Sequence, residues 1–217
     1  MNKVVSLEEA LSVVKNGQVI MVGGFAGTGS AEKIIDGLVE KGIKNLTLIC
    51  NDTGLVDQGV GKMIVNKQFK KVIVSHIGTN PETGRQLQEG ELEVELVPQG
   101  TLVERIRSGG YGLGGVLTKT GLGTLIEEGK QKVVVDGEEY LLEKPLKADV
   151  AIIFADKADK MGNLVYHGSK KSHSPLMASA AETTIVQVNE VVEIGELNPD
   201  AIETQCIFVD YVIEGGY

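Results

Sequence analysis

The stretch that decides the fold is residues 18–51, QVIMVGGFAGTGSAEKIIDGLVEKGIKNLTLICN. The uninterrupted apolar run at 19–22 predicts a buried strand, and a glycine-rich segment at 23–29 follows it directly. A helical pattern comes next, and a second apolar run at 46–50 predicts another buried strand. Because two parallel strands need a crossover between them, this order predicts a βαβ unit with two strands of a parallel sheet.

The helix inside this unit is predicted from its ends and from the spacing of its apolar residues. Ser30 is a residue type that caps helix N-termini, and Gly42 is the type that ends helices. Between them, an apolar face repeats every three to four positions and consists of Ile34, Ile35, Leu38 and Val39.

The same alternation continues on both sides of the unit. Ser6 opens a capping box, which predicts a helix that ends at Gly17, and Thr101 opens a second box, which predicts a helix that ends at Gly109. Further helices are predicted near residues 60–66 and from Pro175, and further strands at 72–74, 92–96, 150–154, 185–188 and 207–212. Alternation of this kind predicts an α/β fold, with a mainly parallel open sheet covered by helices on both faces.

A small hairpin interrupts this pattern. Val133 and Val135 precede the pair Asp136–Gly137, and apolar residues alternate after it, which is typical of a two-residue β-turn. We therefore predict a β-hairpin insertion at residues 132–143. No linker or repeat divides the sequence, so residues 1–217 are predicted to form a single domain.

The composition limits the kind of partner. The 217 residues carry a formal net charge of -9, and such a surface repels nucleic acid and anionic membranes. No apolar run reaches the roughly 20 residues of a membrane span, and the first residues do not resemble a signal peptide. Cys50 and Cys206 lie in apolar runs without metal-ligand spacing, so we expect reduced core thiols, no bound metal and a cytoplasmic location.

Four loops form the candidate ligand site, because ligands of parallel sheets bind beyond the carboxyl ends of the strands. They are residues 23–29, 51–54, 75–80 and 98–101. In the first loop, glycines let the backbone approach a ligand, and the following helix offers N–H groups to an anion. Its spacing matches neither the dinucleotide pattern nor the P-loop, and a plain strand-to-helix turn explains the loop equally well when it is taken alone.

The polar residues of these loops favour binding and polarisation over nucleophilic attack. The neutral amide of Gln99 can donate to a developing oxyanion without protonating it, although a purely structural role is also open. Asn51 and Asn80 share that alternative. The histidines show no catalytic spacing and are interpreted as loop or packing residues; they are His76, His167 and His173.

Several segments carry a family resemblance. VIMVGGFAGTGSAEKIIDGL (19–38) resembles the signature of the α subunits of family I CoA transferases, in which G-G-F is followed by three residues and then G-x-P. SHIGTNPETGRQ (75–86), GELEVELVPQGTLVERIR (90–107) and GVLTKTGLGTLIEEGK (115–130) resemble further blocks of that family. The resemblance runs almost from end to end, and the most similar group is the bacterial acetoacetate/butyrate-acetate CoA transferases.

The resemblance implies a partner and a mechanism. In that family the α subunit pairs with a β subunit, as a heterodimer or an α2β2 assembly, and a glutamate of the β subunit attacks the acyl-CoA thioester. An acyl-glutamyl anhydride and then a glutamyl-CoA thioester form, and an incoming carboxylate takes the CoA. Coenzyme A is thus a substrate, and no permanent cofactor is implied. The Ser-Glu-Asn-Gly type of motif that carries the glutamate is absent from this sequence, which fits an α subunit.

The resemblance also implies roles for individual residues. Gln99 matches the glutamine of the oxyanion hole, and Asn51 matches a position near the active site. The CoA-binding loop of the family is matched by Gly23, Gly24, Phe25, Ala26, Gly27, Thr28 and Gly29.

The sequence departs from the family pattern at four places. Ala31 and Lys119 replace prolines of the family, His173 replaces a phenylalanine, and Gln205–Cys206 replaces Pro-Gly. Because a polar imidazole stands at His173 in place of an apolar phenyl ring, we expect the enzyme to prefer a more polar acid than butyrate.

Two other functions stay open at this point. A protein that binds a nucleotide or sugar phosphate would use residues 23–29 as a phosphate loop, and it would not respond to CoA. A non-catalytic subunit would keep the fold and lose the chemistry, in which case a Gln99→Ala change would not alter transfer.

Overall fold

A computed structural model describes residues 2–216. Its helices are α1 (Leu7–Leu11), α2 (Glu32–Lys41), α3 (Gly61–Val65), α4 (Pro81–Gln88), α5 (Gln99–Gly110) and α6 (Ser174–Ser179). Its strands are β1 (Val19–Val22), β2 (Leu46–Cys50), β3 (Phe69–Val74), β4 (Glu93–Leu96), β5 (Val116–Thr118), β6 (Lys132–Val135), β7 (Glu138–Glu143), β8 (Ala148–Asp159), β9 (Leu164–Val165), β10 (Ala181–Val192) and β11 (Tyr211–Glu214).

One large sheet organises the chain, with the strand order β11-β10-β8-β1-β2-β3-β4. Every neighbouring pair along this path is parallel, and the short β9 adds an antiparallel strand beside β8. Val22 pairs with Cys50 and Val74 with Leu96, so each of these strand pairs ends in register. The prediction of a mainly parallel open sheet is confirmed, and the loops after β1, β2, β3 and β4 leave the same edge.

Helices cover both faces of this sheet, as predicted. Strand β1 shows why: Ile20 belongs to a core formed with α1, α2 and α3, whereas Met21 belongs to a core formed with α5 and α6. Both side chains are fully buried. Burial of one such side chain contributes roughly 1.5–3 kcal/mol, so the central strands are stabilised from two sides.

The ends of α2 separate a correct prediction from a wrong one. Gly42 ends the helix in the left-handed region at φ 62°, as expected for glycine. The prediction that Ser30 caps the helix was wrong, because α2 begins at Glu32 and Ala31 occupies the cap position without a side-chain hydrogen bond. Ser30 is instead buried.

Two other helix boundaries also differ from the sequence prediction. Ser6 caps α1 as expected, but the helix ends at Leu11 and not at Gly17. Thr101 does not cap α5: the helix begins two residues earlier, at Gln99, and Thr101 is buried in its first turn.

The predicted strand at 207–212 was partly wrong, since residues 206–208 form a 3₁₀ helix and β11 starts at Tyr211.

The predicted hairpin is part of a small three-stranded antiparallel sheet of β5, β7 and β6. Asp136 and Gly137 form its turn with φ of 52° and 81°. Because paired residues of antiparallel strands point to the same side and sides alternate along a strand, the register places one group of apolar residues on a shared face. We call this the apolar face of the small sheet; its apolar residues are Leu117, Val133, Val135, Tyr140 and Leu142, and Glu138 shares the face at its turn end.

Among the described residues, no helix is long and apolar enough to cross a bilayer.

Candidate functional site

The loops after the first four strands of the sheet meet through hydrogen bonds, so the loops predicted to form one site do lie together. The backbone N–H of Ala26, after β1, donates to Asp52 Oδ2, after β2, over 2.9 Å. Ser75 Oγ, after β3, donates to the backbone oxygen of Asn51 over 2.7 Å. Gln99 Nε2, after β4, donates to Asn51 Oδ1 over 2.6 Å.

The glycine-rich loop is a tight turn with a raised tip. Phe25 and Thr28 exchange two backbone hydrogen bonds, each 2.9 Å long. Ala26 and Gly27 between them have φ of 46° and 87°, the pattern of a type I′ turn. The Phe25 side chain is 51% exposed at the tip, where it can contact a ligand.

The base of the loop packs against the segment that precedes α6, and this contact has no room for a side chain. A Cβ on Gly29 would lie 2.4 Å from the backbone oxygen of Lys170, at a φ of +76°. A Cβ on Gly23 would lie 2.6 Å from Ser174 Oγ. Close backbone approach therefore requires a glycine at position 29, whereas a side chain at position 23 would have to displace the Ser174 hydroxyl.

Asp52 is the central polar group of the site, and it was not among the residues predicted from the sequence. Its side chain belongs to a residue that is only 4% exposed, and it accepts hydrogen bonds from Ala26 N (2.9 Å), Asn51 Nδ2 (2.7 Å) and Gly54 N (2.8 Å). The bond to Gly54, two residues ahead, is an Asx turn, which the Asp-x-Gly spelling after a strand would have indicated.

Gln99 is exposed at the first position of α5, and its amide has capacity for a ligand. An amide nitrogen carries two hydrogens, and Asn51 takes one of them. A cavity of about 540 Å³ opens at the next residue, Gly100, between the first turn of α5 and β5, and Gln99 itself does not line it. It is lined by Gly100, Thr101, Glu104, Val116, Leu117, Thr118 and Thr120.

Two carboxylates of this region are already engaged: Glu104 of the cavity wall and Asp52 of the loop after β2. Glu104 forms an ion pair with Arg107 over 2.7 Å, and Asp52 accepts three hydrogen bonds. Asp52 is thus buried behind its three donors, whereas Glu104 is held by a half-exposed ion pair.

Two buried polar groups lie behind the glycine-rich loop. His173 Nδ1 and Ser174 Oγ have no hydrogen-bond partner among the described residues. Burial lowers the pKa of His173, and the negative charge of Asp52 opposes this only partly. The imidazole is therefore uncharged near neutral pH.

The other polar residues weighed from the sequence have structural or peripheral places. Asn80 is fully buried, caps α4 by accepting from Glu82 N, and donates to Thr53 O. His76 and His167 are exposed. Cys50 is a free buried thiol, and burial raises its pKa to about 12. Over residues 2–216, no group of three or more potential ligands could hold a metal ion.

Comparison with known proteins gives a consistent result. The family model described as coenzyme A transferase matches residues 4–215. The chain is 52% identical over 211 residues to the acetate CoA-transferase subunit alpha of Escherichia coli K12, covering 97% of this chain and 96% of that protein. It is 52% identical over 213 residues to the acetoacetyl-CoA:acetate/butyrate CoA transferase alpha subunit of Clostridium acetobutylicum, covering 98% of each.

Solved structures share the fold at lower identity. An acyl-CoA transferase of E. coli O157:H7, solved as a thioester complex with CoA, superposes with a TM-score of 0.89 at 21% identity. The match covers 99% of this chain but 47% of that one, so this chain spans about half its length. Glutaconate coenzyme A-transferase of Acidaminococcus fermentans superposes with a TM-score of 0.87 at 21% identity, covering 99% of this chain and 76% of that one.

Proposed function

The chain belongs to the coenzyme A transferase family, and we propose that it is the α subunit of a heteromeric enzyme that moves CoA between acyl-CoA and short carboxylic acids. Short-chain acyl-CoA or 3-oxoacyl-CoA donates the CoA, and an acid such as acetate or acetoacetate accepts it. The observation that carries the proposal is the Gln99–Asn51 amide pair, which Asp52 links to the glycine-rich loop.

The reaction needs a carboxylate nucleophile, which we assign to a glutamate of the β subunit. Its oxygen attacks the acyl-CoA carbonyl, the C–S bond breaks and CoA leaves as thiolate, so an acyl-glutamyl anhydride forms. The thiolate then attacks the glutamyl carbonyl and releases the first acid as carboxylate. The second acid takes the CoA from the glutamyl thioester through the same two steps in reverse.

This chain's own residues bind CoA and stabilise negative charge. The loop at 23–29 approaches the ligand with its backbone and with the exposed ring of Phe25. The second N–H of Gln99 donates to the oxygen that becomes negative in each tetrahedral intermediate, and such donors typically contribute about 10²–10³ in rate. CoA is thus a substrate, and the proposal requires no resident cofactor.

The partner also has a surface to contact. Leu117 and Val135 on the apolar face of the small sheet are 43% and 41% exposed, and Leu117 also lines the cavity at the first turn of α5. A β subunit seated on this face would cover apolar area and reach the cavity with its glutamate. We further propose that residues 1–217 act as one domain and that the enzyme is cytoplasmic, in keeping with two unpaired thiols.

The test combines the native mass of the purified enzyme with CoA transfer from butyryl-CoA or acetoacetyl-CoA to acetate. We expect a second, different chain and ping-pong kinetics. Gln99→Ala should lower kcat on the order of 10²-fold or more. Gln88→Ala is the matched control, because Gln88 is another exposed helical glutamine, at the end of α4. An active homo-oligomer, or full activity of Gln99→Ala, would refute the assignment.

A further inference from the structure

The two parts of the site are joined by one buried carboxylate. Asp52 Oδ2 accepts from the backbone N–H of Ala26, at the tip of the glycine-rich loop, and from Asn51 Nδ2, and Asn51 in turn accepts from Gln99. The loop and the Gln99 amide are far apart in sequence, and this chain of hydrogen bonds links them across the ends of four neighbouring strands, β1 to β4.

The chemistry of the carboxylate sets the direction of every amide in the chain. An ionised carboxylate can only accept, so Asn51 must turn its nitrogen toward Asp52 and its oxygen toward Gln99. That oxygen can also only accept, so Gln99 must turn its nitrogen inward and keep a second N–H for a ligand. A neutral partner at position 52 would allow both amides to turn over and present an oxygen to the ligand.

We propose that Asp52 is a positioning residue for CoA transfer, which acts through Asn51 to hold Gln99 as a hydrogen-bond donor and through Ala26 to hold the loop tip. This rests on the proposed function, because it requires that the Gln99 N–H serves the reaction. Ala26 is a non-glycine residue at a φ of 46°, and the bond to Asp52 offsets the steric cost of that conformation.

The decisive experiment is a double-mutant cycle on the complete enzyme with Asp52→Asn and Gln99→Ala. Asp52→Asn keeps the volume but supplies a donor and an acceptor, so the amide chain loses its fixed direction. We expect kcat to fall on the order of tenfold or more, since a hydrogen bond to a charged group contributes roughly that factor. In the Gln99→Ala background the same change should cost kcat little, because the donor it positions is already gone.

Asp159 provides a matched control. It is a buried carboxylate that likewise accepts from two backbone N–H groups and one asparagine side chain, those of Met161 and Asn163, and it has no bond to Asn51 or Gln99. Asp159→Asn should lower the unfolding temperature about as much as Asp52→Asn does. Its kcat should stay within about twofold of the wild-type value.

A second variant keeps the proposal testable if Asp52→Asn does not fold. Asn51→Leu removes the link and leaves the bonds of Asp52 to Ala26 and Gly54 in place. It should lower kcat nearly as much as Gln99→Ala and leave the KM for acyl-CoA within about twofold. Full kcat in Asn51→Leu, or fully additive losses in the cycle, would overturn the positioning role. Full activity of Gln99→Ala would instead overturn the proposed function.

Discussion

Replacing Gly29 by alanine should damage the glycine-rich loop through a steric conflict that the structure locates. The new Cβ would lie 2.4 Å from the backbone oxygen of Lys170 and 2.9 Å from its Cα, both part of the chain and not of a flexible side chain. The backbone there also has a φ of +76°, which L-residues avoid. Either the loop or the segment at 168–171 must move to accept alanine.

The magnitude has two parts that a control can separate. A left-handed φ costs a non-glycine residue about 1–2 kcal/mol. Overpacking against a fixed neighbour adds about 1–3 kcal/mol. Gly42→Ala carries only the first part, because Gly42 has φ +62° and nothing within 4 Å of its added Cβ. For a chain of this size, where about 2–4 °C corresponds to 1 kcal/mol, Gly29→Ala should unfold roughly 2–12 °C below Gly42→Ala.

The assay is thermal unfolding of both variants, followed by the KM for acyl-CoA of each variant assembled with its β subunit. We expect Gly29→Ala to raise KM about tenfold or more, which corresponds to a loss of about 1.4 kcal/mol of binding. Gly42→Ala should leave KM near the wild-type value. If the two variants have the same unfolding temperature and the same KM, the contact with Lys170 does not hold the loop and the reasoning fails.

Three other predictions concern the partner surface, the thiols and the buried imidazole. Leu117→Glu should reduce copurification of the β subunit without altering the folding of the chain, whereas Leu87→Glu, at another exposed leucine on α4, should not; equal effects would contradict the docking face. Burial raises the pKa of Cys50 to about 12, so iodoacetamide at pH 8 should label Cys206 well before Cys50. Peptide mass spectrometry measures the order of labelling, and the reverse order would contradict the burial of Cys50. Because the pKa of His173 is lowered in the folded state, the unfolded state binds the proton first as pH falls, so the free energy of unfolding should decrease below about pH 6.5. In urea unfolding, His173→Phe should lack this decrease, and an unchanged pH profile would contradict the burial of the imidazole. The same variant should shift the preferred acid toward butyrate, and an unchanged acid ranking would contradict the role of His173 in specificity.

The fold was accessible from the sequence because the relevant signals are local. Continuous apolar runs at 19–22 and 46–50 indicate strands buried on both faces. In the ten residues of the helix between them, apolar residues recur every three to four positions, which indicates a helix. Right-handed parallel crossovers then leave few possible arrangements, and the loops at the carboxyl ends follow from the strand directions. The resemblance added the expected activity and the roles proposed for Gln99 and residues 23–29, which no local pattern specifies.

Helix boundaries were harder to predict from the sequence, because several neighbouring residues could each begin or end the same helix. Thr101 has the spacing of a capping box, yet α5 begins at Gln99, directly after Pro98, whose extended backbone already provides the transition into the helix. Ser30 has the chemistry of a cap, but close packing near the loop buries it instead. Tertiary contacts outweigh preferences of about 1 kcal/mol at such positions.

The sequence by itself determined the parallel sheet, the glycine-rich loop at its carboxyl edge and the absence of the family's nucleophile motif. Only the tertiary structure decided that Asp52 connects the loop to Gln99, that Asn80 caps a helix, and that Lys170 closes on Gly29. The reason is physical: apolar periodicity is written within one element, whereas the partner of a buried polar group can lie 26 to 48 residues away, as the bonds of Ala26 and Gln99 do. Such partners are chosen by which strand ends become neighbours, and that is settled when the sheet assembles.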